Sequence, residues 1–349
     1  MASEAYDVAV IGGGPAGAAA ALTLARYTQR RVVVIERSSY EAWRPGETLS
    51  PGVTPLLTYL GISLNGSHLR ASGTAAAWGS SRVVSRDFFF TGAGDGVNLD
   101  RLAFDRALVA QLSDVRTRTH VVDVAPGWTL SLNDGSSIDA EFVIDASGRH
   151  ASFARHTGAR AQLHDQLTGL IGVFNTSGEI EPSTLVESRP YGWWYSAPIP
   201  GEQLVVALMT DADIVRDRRL HLAWQDALLE APATYARVGN AVLIREPAIL
   251  PAHSARLDRI CGEGWAAAGE AAASFDPLSS MGIGYALTSG INAARAADSW
   301  LRGNRDHLAT YAADVARHFD AYLDRRGAYY AMEKRWVGEK FWQRRTLSS

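Results

Sequence analysis

Runs of apolar residues with different periods divide the sequence into predicted strands and helices. Near the N terminus, the β-branched run at residues 8–11 is typical of a buried parallel strand. Residues 18–26 are rich in Ala and Leu, the strongest helix formers, and predict a helix. A second β-branched run, residues 31–35, predicts another strand and is followed by Glu36. The chain is therefore predicted to begin with a strand, a helix and a strand.

The middle of the chain alternates between apolar and polar residues, as the strands of a half-buried antiparallel sheet do. The longest such stretch is residues 167–208, and residues 75–90 predict a strand pair of a second, smaller sheet. From about residue 291 onward, the chain is predicted to be helical. The further predicted helices are residues 51–60, 97–111 and 220–230, and the further predicted strands are residues 115–124, 128–132, 142–144 and 265–268.

The composition is that of an ordinary globular enzyme, and it limits the partners that we expect. Apolar residues make up 47% and charged residues 20% of the 349 residues, and the formal net charge of −3 gives no basic field for nucleic acid. Cys261 is the single cysteine, so an internal disulfide is excluded and a reducing cytoplasm is the predicted location. We expect Cys261 to be a small core residue. No zinc-ligand spacing occurs, and we predict no metal site.

One stretch raises the alternative of a membrane span. Residues 8–25 contain no charged residue, but three glycines and a proline interrupt them and their first part has a strand pattern. A secretion signal is not expected either, because Glu4 and Asp7 precede the run where a basic region would stand. We therefore predict neither a membrane span nor a secretion signal.

Three glycines stand where the first predicted strand turns into the first predicted helix, with the spacing G-x-G-x-x-G. Gly12 permits the tight turn, Gly14 lets a pyrophosphate approach the backbone, and Gly17 lets the helix lie close to the strand. The N terminus of that helix offers free amides to phosphate groups. Glu36, after the second strand, can accept hydrogen bonds from an adenosine ribose. The glycines alone are weak evidence, but the whole combination predicts a site for an adenosine pyrophosphate group.

Further candidate chemistry lies in three loops and one aromatic segment. RPGE at residues 44–47 follows the second strand, DASGR at residues 145–149 follows a buried strand, and GEAAASFDPLSSMGIG at residues 269–284 follows another. The aromatic segment is GWWYSAPIP at residues 192–200. Each has a plain structural alternative. The charges of RPGE would suit a solvated surface loop, and the aromatic rings would suit packing inside a sheet.

In their fixed order, the glycine motif with Glu36, RPGE, DASG and GEAAASFDPLSSMGIG resemble the FAD-binding domain of flavoprotein aromatic hydroxylases and of their halogenase and geranylgeranyl-reductase relatives. The resemblance implies an α/β fold with a glutathione-reductase-like, Rossmann-type FAD domain. A mostly antiparallel β-sheet substrate domain would interrupt it, and a helical C terminus would follow. The implied FAD domain comprises residues 1–74, 97–160 and 255–305, the substrate domain residues 75–96 and 161–254, and the C-terminal helices residues 306–349.

The same resemblance implies which residues bind FAD. Pro277 would face the reactive edge of the isoalloxazine ring, and amides around Met281, at a helix N terminus, would stabilise the reduced flavin. Glu270 stands where the family usually has Asp, and it can still accept hydrogen bonds from the ribityl chain. Arg44 and Arg101 match positions near the phosphates and the ribityl chain. The implied FAD-binding residues are Gly12, Gly14, Pro15, Ala16, Gly17, Glu36, Arg37, Arg44, Arg101, Asp145, Ala146, Gly148, Gly269, Glu270, Pro277, Met281, Gly282 and Ile283.

RPGE, the Gly-Trp-Trp stretch and DPLSSMG are similar to segments of tryptophan halogenases, but one residue of those enzymes is absent. They carry a Lys, thought to carry or steer the hypohalous species, where the alignment places Ala71, and residues 38–90 contain no Lys. Their W-x-W-x-I-P is also replaced by WWYSAP. The shorter chain and GWWYSAPIP instead resemble the flavoproteins that mature quinone-cofactor amine oxidases, in which a protein-bound Trp is hydroxylated.

The resemblance implies an FAD-dependent monooxygenase that hydroxylates an electron-rich aromatic ring through a flavin C4a-hydroperoxide. The substrate would be an aromatic molecule, with a Trp in a peptide or protein as one candidate. No second dinucleotide motif occurs, so the electrons would come from transiently bound NAD(P)H or from reduced flavin made by a flavin reductase. A halogenase is one alternative. An FAD reductase or a non-catalytic flavin-binding maturation partner is another.

The candidate catalytic residues are of two kinds: residues at the implied flavin edge, and residues that could bind the substrate or transfer a proton. Trp194, with its neighbours Trp193 and Tyr195, would form an aromatic wall for the substrate ring, and packing inside a sheet is the alternative. Glu47 and His253 are candidate acid–base groups, and solvated loop positions are the alternative for both. The candidates at the flavin edge are Pro277, Gly282 and Ile283.

Overall fold

A computed structural model of the chain describes residues 3–64, 66–91, 94–178 and 180–346. Within these residues, no helix has the length and the apolarity that a membrane crossing needs. The outermost residues of the predicted first and last segments, 1–2 and 347–349, lie outside the described part.

Strands and helices alternate in the first part of the described chain, strands dominate the middle, and helices end it. The strands are β1 (Glu4–Ile11), β2 (Val32–Ile35), β3 (Thr48–Leu49), β4 (Leu69–Ala71), β5 (Gly73–Ala77), β6 (Val84–Asp87), β7 (Gly96–Asn98), β8 (Val115–Arg116), β9 (Val121–Ala125), β10 (Thr129–Leu132), β11 (Ser137–Asp145), β12 (Ala161–Leu163), β13 (Leu167–Asn175), β14 (Ser183–Arg189), β15 (Gly192–Ile199), β16 (Gln203–Asp211), β17 (Val242–Pro251), β18 (Ala255–Leu257), β19 (Cys261–Gly262), β20 (Trp265–Ala267) and β21 (Ala273–Ser274). The α-helices are α1 (Pro15–Tyr27), α2 (Thr54–Leu60), α3 (Arg101–Val109), α4 (Ser152–His156), α5 (Ala212–Asp217), α6 (Trp224–Leu229), α7 (Pro232–Val238), α8 (Gly282–Leu301), α9 (Asp306–Ala331) and α10 (Lys340–Thr346).

The first sheet forms the parallel core of an α/β arrangement. Its path is β19-β20-β11-β1-β2-β8, and the β9–β10 pair is attached to β11. β1 pairs in parallel with both β11 and β2, and Val8, Ala9 and Val10 are completely buried. This burial explains why the β-branched run has no polar alternation. The strand, helix and strand predicted at the N terminus are confirmed.

Helices α1 and α8 pack on this sheet and approach each other closely. A side chain at Gly290 of α8 would collide with the backbone of Ala16 in α1, so the glycine sets the distance between the two helices. Both helices begin beside the same cavity, because Pro15 and Gly282 both line it. Two helix N termini, each with unpaired backbone amides, therefore point toward one region.

The second sheet has the path β17-β13-β16-β15-β14-β5-β6 and is antiparallel except where β14 runs parallel to β5. Residues 167–208 supply four of its strands as predicted, but they are not half-buried, because nearly every residue of β13 and β16 is buried. Helix α6 covers the outer face, where Trp224 packs against Phe174 and Trp194. The loops of the first sheet and the C-terminal helices cover the other face.

The C-terminal helices join the two sheets. Tyr322 of α9 packs against Phe275 beside the first sheet, whereas Tyr330, close to the C-terminal end of α9, belongs to the buried cluster of the second sheet. Phe341 and Trp342 of α10 are completely buried in the same cluster. The division into an FAD domain and a substrate domain stays a prediction, and its first boundary, between residues 74 and 75, falls inside β5.

Several predicted elements differ from the structure at their ends. The helix predicted from residue 97 begins only at Arg101, because residues 96–98 pair as β7, and Asp100 caps the helix by accepting a hydrogen bond from the Ala103 amide at 3.0 Å. The strand predicted at residues 115–124 is split into β8 and β9, and Arg118 has a positive φ of 56° in the break. The helix predicted at residues 220–230 is the shorter α6.

Candidate active site

The glycine motif forms the turn between β1 and α1, and each glycine has its own steric reason. Gly12 has a φ of 103°, and a side chain there would collide with the Ala146 carbonyl oxygen. A side chain at Gly17 would collide with the carbonyl oxygen of Gly12, so this glycine allows α1 to lie against β1. At Gly14, an added Cβ would meet no atom within 4 Å. The space in front of the α1 amides is therefore open at the position where a phosphate would lie.

Glu36 lies directly after β2 and is held by the loops around it. It is 6% exposed, its Oε2 accepts a hydrogen bond from the Gly13 amide at 2.7 Å, and its Oε1 accepts one from the Ser38 amide at 2.7 Å. Burial alone would raise the pKa of this carboxyl, but the Ser38 and Gly13 hydrogen bonds and the Arg44 guanidinium, 3.4 Å away, lower it overall. Glu36 is therefore ionised at neutral pH and suited to accept hydrogen bonds from ribose hydroxyls.

Arg101, at the start of α3, supports the RPGE loop. Its Nη1 donates hydrogen bonds to the carbonyl oxygens of Pro45 at 2.5 Å and Gly46 at 3.1 Å, and its Nη2 pairs with the buried carboxylate of Asp105 at 3.2 Å. Both terminal nitrogens of the guanidinium therefore already bind oxygen atoms of the protein. Arg101 therefore positions the loop and still lines the cavity beside it. Arg37, by contrast, is exposed next to Glu36.

A cavity of about 460 Å³ lies between the loops of the first sheet and the inner face of the second sheet. One wall belongs to the RPGE loop and to the segment that enters α8. The other wall is apolar and comes from β13, β16 and the end of β17. The first wall includes Glu47, Thr48, Phe275, Asp276, Pro277, Met281, Gly282 and Ile283, and the second includes Gly169, Ile171, Val205, Ala207, Met209, Leu250, Pro251 and Ala252.

Two titratable groups meet in this cavity. Glu47 is 5% exposed, and its burial raises the pKa of the carboxyl, although the Gly46 amide donates a hydrogen bond to Oε1 at 2.8 Å. The Tyr195 hydroxyl lies 3.1 Å from the Thr48 Oγ1, and burial together with the charge of Glu47 raises the pKa of this phenol. A carboxyl of raised pKa and a phenol of raised pKa in one cavity are candidate groups for proton transfer.

The segment before α8 brings its backbone to the edge of the cavity. Asp276 caps the turn, because its Oδ1 accepts a hydrogen bond from the Leu278 amide at 2.9 Å, and Ser280 has a positive φ of 50°. Gly282 begins α8, and a Cβ added to it would meet no atom within 4 Å. The helix N terminus thus presents free amides to open space, where a negative group could be held.

Two family profiles together match nearly the whole length of the sequence. A tryptophan halogenase profile matches residues 111–348, and a pyridine nucleotide-disulphide oxidoreductase profile matches residues 6–169. LodB of Marinomonas mediterranea, named as an FAD-dependent oxidoreductase, is 34% identical over 98% of this chain and 97% of its own length. The chain belongs to the tryptophan halogenase family. It is an FAD-dependent oxidoreductase, and its cofactor is FAD.

Proteins that are similar to this chain carry different activities in their names. Tryptophan 2-halogenase of Chondromyces crocatus is 26% identical, over 86% of this chain and 62% of that enzyme. The flavin-dependent halogenase CmlS has the same fold with a TM-score of 0.86 and 25% identity, over 100% of this chain and 68% of CmlS. The peptidyl tryptophan dihydroxylase QhpG, at 24% identity, has a TM-score of 0.80 over 98% of this chain and 79% of QhpG. The fold is therefore shared by enzymes that halogenate and by one that hydroxylates.

The structure moves one candidate away from the cavity. Trp194 points to the outer face of the second sheet, where it is completely buried against Trp224 with ring centroids 5.4 Å apart. Successive side chains of a strand point to opposite faces, so its neighbour Tyr195 lines the cavity instead. The structure thus contradicts the placement of Trp194 on the wall of this cavity, and of the three aromatic candidates Tyr195 lines it. His253 does not line the cavity, although its carbonyl oxygen accepts a hydrogen bond from Arg149 at 2.6 Å.

The DASG block acts mainly through its backbone. Both carboxylate oxygens of Asp145 are used internally, by the Ser147 amide at 3.0 Å, the Ser147 hydroxyl at 2.6 Å and the Ala154 amide at 2.8 Å. Asp145 is completely buried, so its side chain shapes the loop, and its assignment as an FAD-binding position stays a prediction. Ala146 packs its carbonyl behind Gly12, and Gly148 has a positive φ of 71°.

Two more predicted cofactor residues, Pro15 and Glu270, line the cavity, and so does Arg149, which the sequence did not predict. Arg149 pairs with Glu270 at 3.0 Å. Gly269 has a positive φ of 60°, and a Cβ there would crowd the side chain of Ala16. The apolar wall of β13, β16 and β17 was not predicted, because its residues have the same apolar pattern as ordinary core residues. Nor was it predicted that Asp276 lines the cavity.

Proposed function

We propose that this protein is an FAD-dependent monooxygenase that hydroxylates an electron-rich aromatic ring, with Trp in a peptide or protein as the substrate. The observation that carries this proposal is the distribution of lysine. The whole chain contains only Lys334 and Lys340. Neither of them lines the cavity. Lys340, at the start of α10, forms a salt bridge of 2.7 Å with Asp213. Ala71, aligned with the lysine of tryptophan halogenases, is completely buried and carries no amine.

The lack of a lysine favours direct attack on the substrate ring. A lysine in related halogenases is thought to carry or steer the hypohalous species away from the flavin. Without such a group, an oxidised halide would have no side chain to direct it here. Bound FAD would supply activated oxygen at its reactive edge, and the ring must then lie within reach of that edge. Pro277, Gly282 and Ile283 are the residues that we assign to this edge.

The apolar wall favours a substrate that is embedded in a peptide chain. The wall of β13, β16 and β17 carries no charged side chain where it faces the cavity. A free amino acid would bring an ammonium and a carboxylate, and burying either without a partner is costly. Of the cationic groups in the cavity, Arg101 is bound by Asp105 and the RPGE loop, and Arg149 by Glu270. An indole attached to an uncharged peptide backbone avoids this cost.

Glu47 and Tyr195 are the residues that we assign to proton transfer. When a ring carbon gains oxygen, it must lose a proton, and the Glu47 carboxylate lies in the same cavity to accept it. Burial raises the pKa of Glu47, so the proton it takes is held more firmly than by a solvated carboxylate. The Tyr195 hydroxyl, paired with Thr48, can donate a hydrogen bond to an oxygen on the ring.

The residues at the glycine turn fit the FAD that the family requires. The open space at Gly14 would take the pyrophosphate, Glu36 the adenosine ribose, and Glu270 with Arg149 the ribityl region. We keep the other predicted positions as proposed FAD contacts, with Asp145 acting through the loop it shapes. Electrons would come from NAD(P)H or from reduced flavin supplied by a flavin reductase.

The decisive experiment uses oxygen-18 gas in the presence of excess bromide. The FAD-loaded protein is incubated with a flavin reductase, NADH and N-acetyl-tryptophanamide as a capped substrate, and the products are identified by mass spectrometry. We expect a product that carries oxygen-18 and no bromine, and we expect free Trp to react more slowly than the capped form. A brominated product would favour the halogenase alternative. An oxygen derived from water would contradict the proposal.

Variants of the proton-transfer pair separate catalysis from simple flavin binding. We expect Glu47→Gln to reduce kcat by about 10²–10⁴-fold, the range for loss of an acid–base group, with FAD still bound. Tyr195→Phe should instead release hydrogen peroxide, because a poorly held ring wastes the activated oxygen. If the wild-type protein oxidises NADH with no dependence on oxygen and forms no ring product, the reductase or maturation-partner alternative is favoured.

A further inference from the structure

A chain of hydrogen bonds links the second sheet to the segment that carries Pro277. Trp193 of β15 donates from Nε1 to the hydroxyl of Tyr330 in α9 at 3.0 Å, and that hydroxyl donates to the Asp276 Oδ2 at 2.7 Å. Trp193 and Tyr330 have no exposed surface, and Asp276 is 1% exposed. Asp276 lines the cavity and directly precedes Pro277. Tyr330 thus contacts both Trp193 of the second sheet and Asp276, which precedes Pro277.

A second residue of α9, Tyr322, binds the backbone amide of the same aspartate. The Asp276 amide donates to the Tyr322 hydroxyl at 2.8 Å, and that hydroxyl lies 2.6 Å from the Ser254 Oγ. Asp276 is therefore fixed through its amide and through its carboxylate, both by tyrosines of one helix. Its other carboxylate oxygen caps the turn at Leu278. The conformation of the turn that leads into α8 depends on these contacts.

We propose that Tyr330 is a positioning residue, which fixes the Pro277 turn against the flavin and makes its position depend on β15. Trp193 and Tyr195 lie two residues apart on the same face of β15, and Tyr195 lines the cavity. A displacement of β15 by a substrate would therefore move the Trp193 N–H against Tyr330. The hydroxyl of Tyr330 transmits this displacement to Asp276 and so to the turn that meets the flavin.

The ring of Tyr330 has a separate role, which makes the hydroxyl testable alone. The ring packs edge-on or tilted against Trp78 and Trp342, with ring centroids 5.8 Å away in each case. Tyr330→Phe keeps these contacts and removes only the hydroxyl. The matched control is Tyr191→Phe, because Tyr191 is also buried and its hydroxyl donates to the Ala227 carbonyl oxygen at 2.9 Å, on the outer side of the sheet.

The experiment compares FAD-loaded wild type and variants by visible circular dichroism of the flavin, by the dissociation constant for FAD and by thermal unfolding. We expect Tyr330→Phe to change the flavin dichroism and to weaken FAD binding by about 2- to 30-fold, the range of indirect couplings. Tyr191→Phe should lower the melting temperature without either change. Wild-type dichroism and FAD affinity in Tyr330→Phe would overturn the proposal, because they would leave the hydroxyl a purely structural role.

A second variant keeps the proposal testable if Tyr330→Phe fails to fold. Trp193→Phe removes the donor on β15 and leaves the Tyr330–Asp276 hydrogen bond in place. We expect Trp193→Phe to change the flavin dichroism when measured against wild type alone, and unchanged dichroism would overturn the proposal. Where both variants fold, we expect the double variant to add nothing to Tyr330→Phe. Fully additive effects would show that the two residues act independently and would contradict the coupling. FAD binding is read out directly, so this test does not depend on the proposed hydroxylation.

Discussion

Substitutions at two glycines of one motif should have different effects, one on FAD binding and the other on stability. Gly14 and Gly17 are three residues apart at the start of α1, and the motif predicts a different role for each. The structure separates them, because an added Cβ meets open space at Gly14 and a backbone carbonyl at Gly17. We therefore expect Gly14→Val to remove FAD binding from a folded protein. We expect Gly17→Ala to destabilise the protein even without FAD.

The magnitudes follow from these contacts. At Gly17, the added methyl would collide with the Gly12 carbonyl oxygen and would lie 3.1 Å from the Val10 Cγ1. Relief requires moving α1 away from β1, so the free energy of unfolding should fall by about 3 kcal/mol, the upper end for overpacking. At Gly14, the only structural cost is a poorer helix N-cap, about 1 kcal/mol. FAD binding there should weaken by about 1.5–3 kcal/mol for each hydrogen bond to phosphate that is lost.

The assay measures stability and binding separately. Urea unfolding of the FAD-free variants, followed by far-ultraviolet circular dichroism, gives the free energies of unfolding. Titration of FAD, followed by quenching of its fluorescence, gives the dissociation constants. If Gly14→Val bound FAD as wild type does, the pyrophosphate would have to lie elsewhere. If Gly17→Ala kept wild-type stability, the close packing of α1 on β1 would not be a constraint.

Two further variants test charged groups. Glu36→Ala should weaken FAD binding by about 1–3 kcal/mol, measured by the same titration, and should also lower stability because the carboxylate anchors the Gly13 amide. Burial would raise the pKa of Glu333, but the Arg335 and Ser188 hydrogen bonds lower it to about 2 from 4.5, so its contribution to stability is present above pH 4.5 and is lost as the pH falls toward 2. Glu333→Gln should therefore cost about 2–3 kcal/mol at pH 7 and little at pH 2, whereas the exposed Glu263→Gln should change stability by less than about 0.5 kcal/mol at either pH.

Local features of the fold were predictable from the sequence because their causes are local. The turn at Gly12, the helix after it and the strand before Glu36 all depend on residues within one short stretch. The full burial of β13 was not predictable, because it depends on α6, about fifty residues further along the chain, covering the outer face. Alternation of apolar and polar residues indicates a strand that is buried on one face. It cannot indicate which side chains point where when both faces of the strand are buried.

The same reason explains the wrong placement of Trp194. In a strand with both faces buried, hydrophobicity does not tell which of two neighbouring aromatic residues points to the cavity. Only the sheet pairing decides that Tyr195 does so and that Trp194 packs on Trp224. The role of the Asp145 side chain was not predictable for a different reason. A carboxylate in a loop motif can serve the ligand or the loop, and its donors at Ser147 and Ala154 are visible only in three dimensions.

Membership of the tryptophan halogenase family fixes the cofactor more firmly than the reaction, because the two depend on different parts of the molecule. The FAD contacts that we propose come from loops at the ends of the first sheet, and these are the parts that the sequence motifs describe. The fate of the activated oxygen depends on the few side chains that share its cavity. In the cavity that we propose for this chemistry, those side chains include a buried carboxyl at Glu47, a phenol at Tyr195 and an uncharged wall, and no lysine lines it. A halogenase that worked in this cavity would have to direct its oxidised halide without an amine, and a brominated product in the oxygen-18 experiment would show that it does.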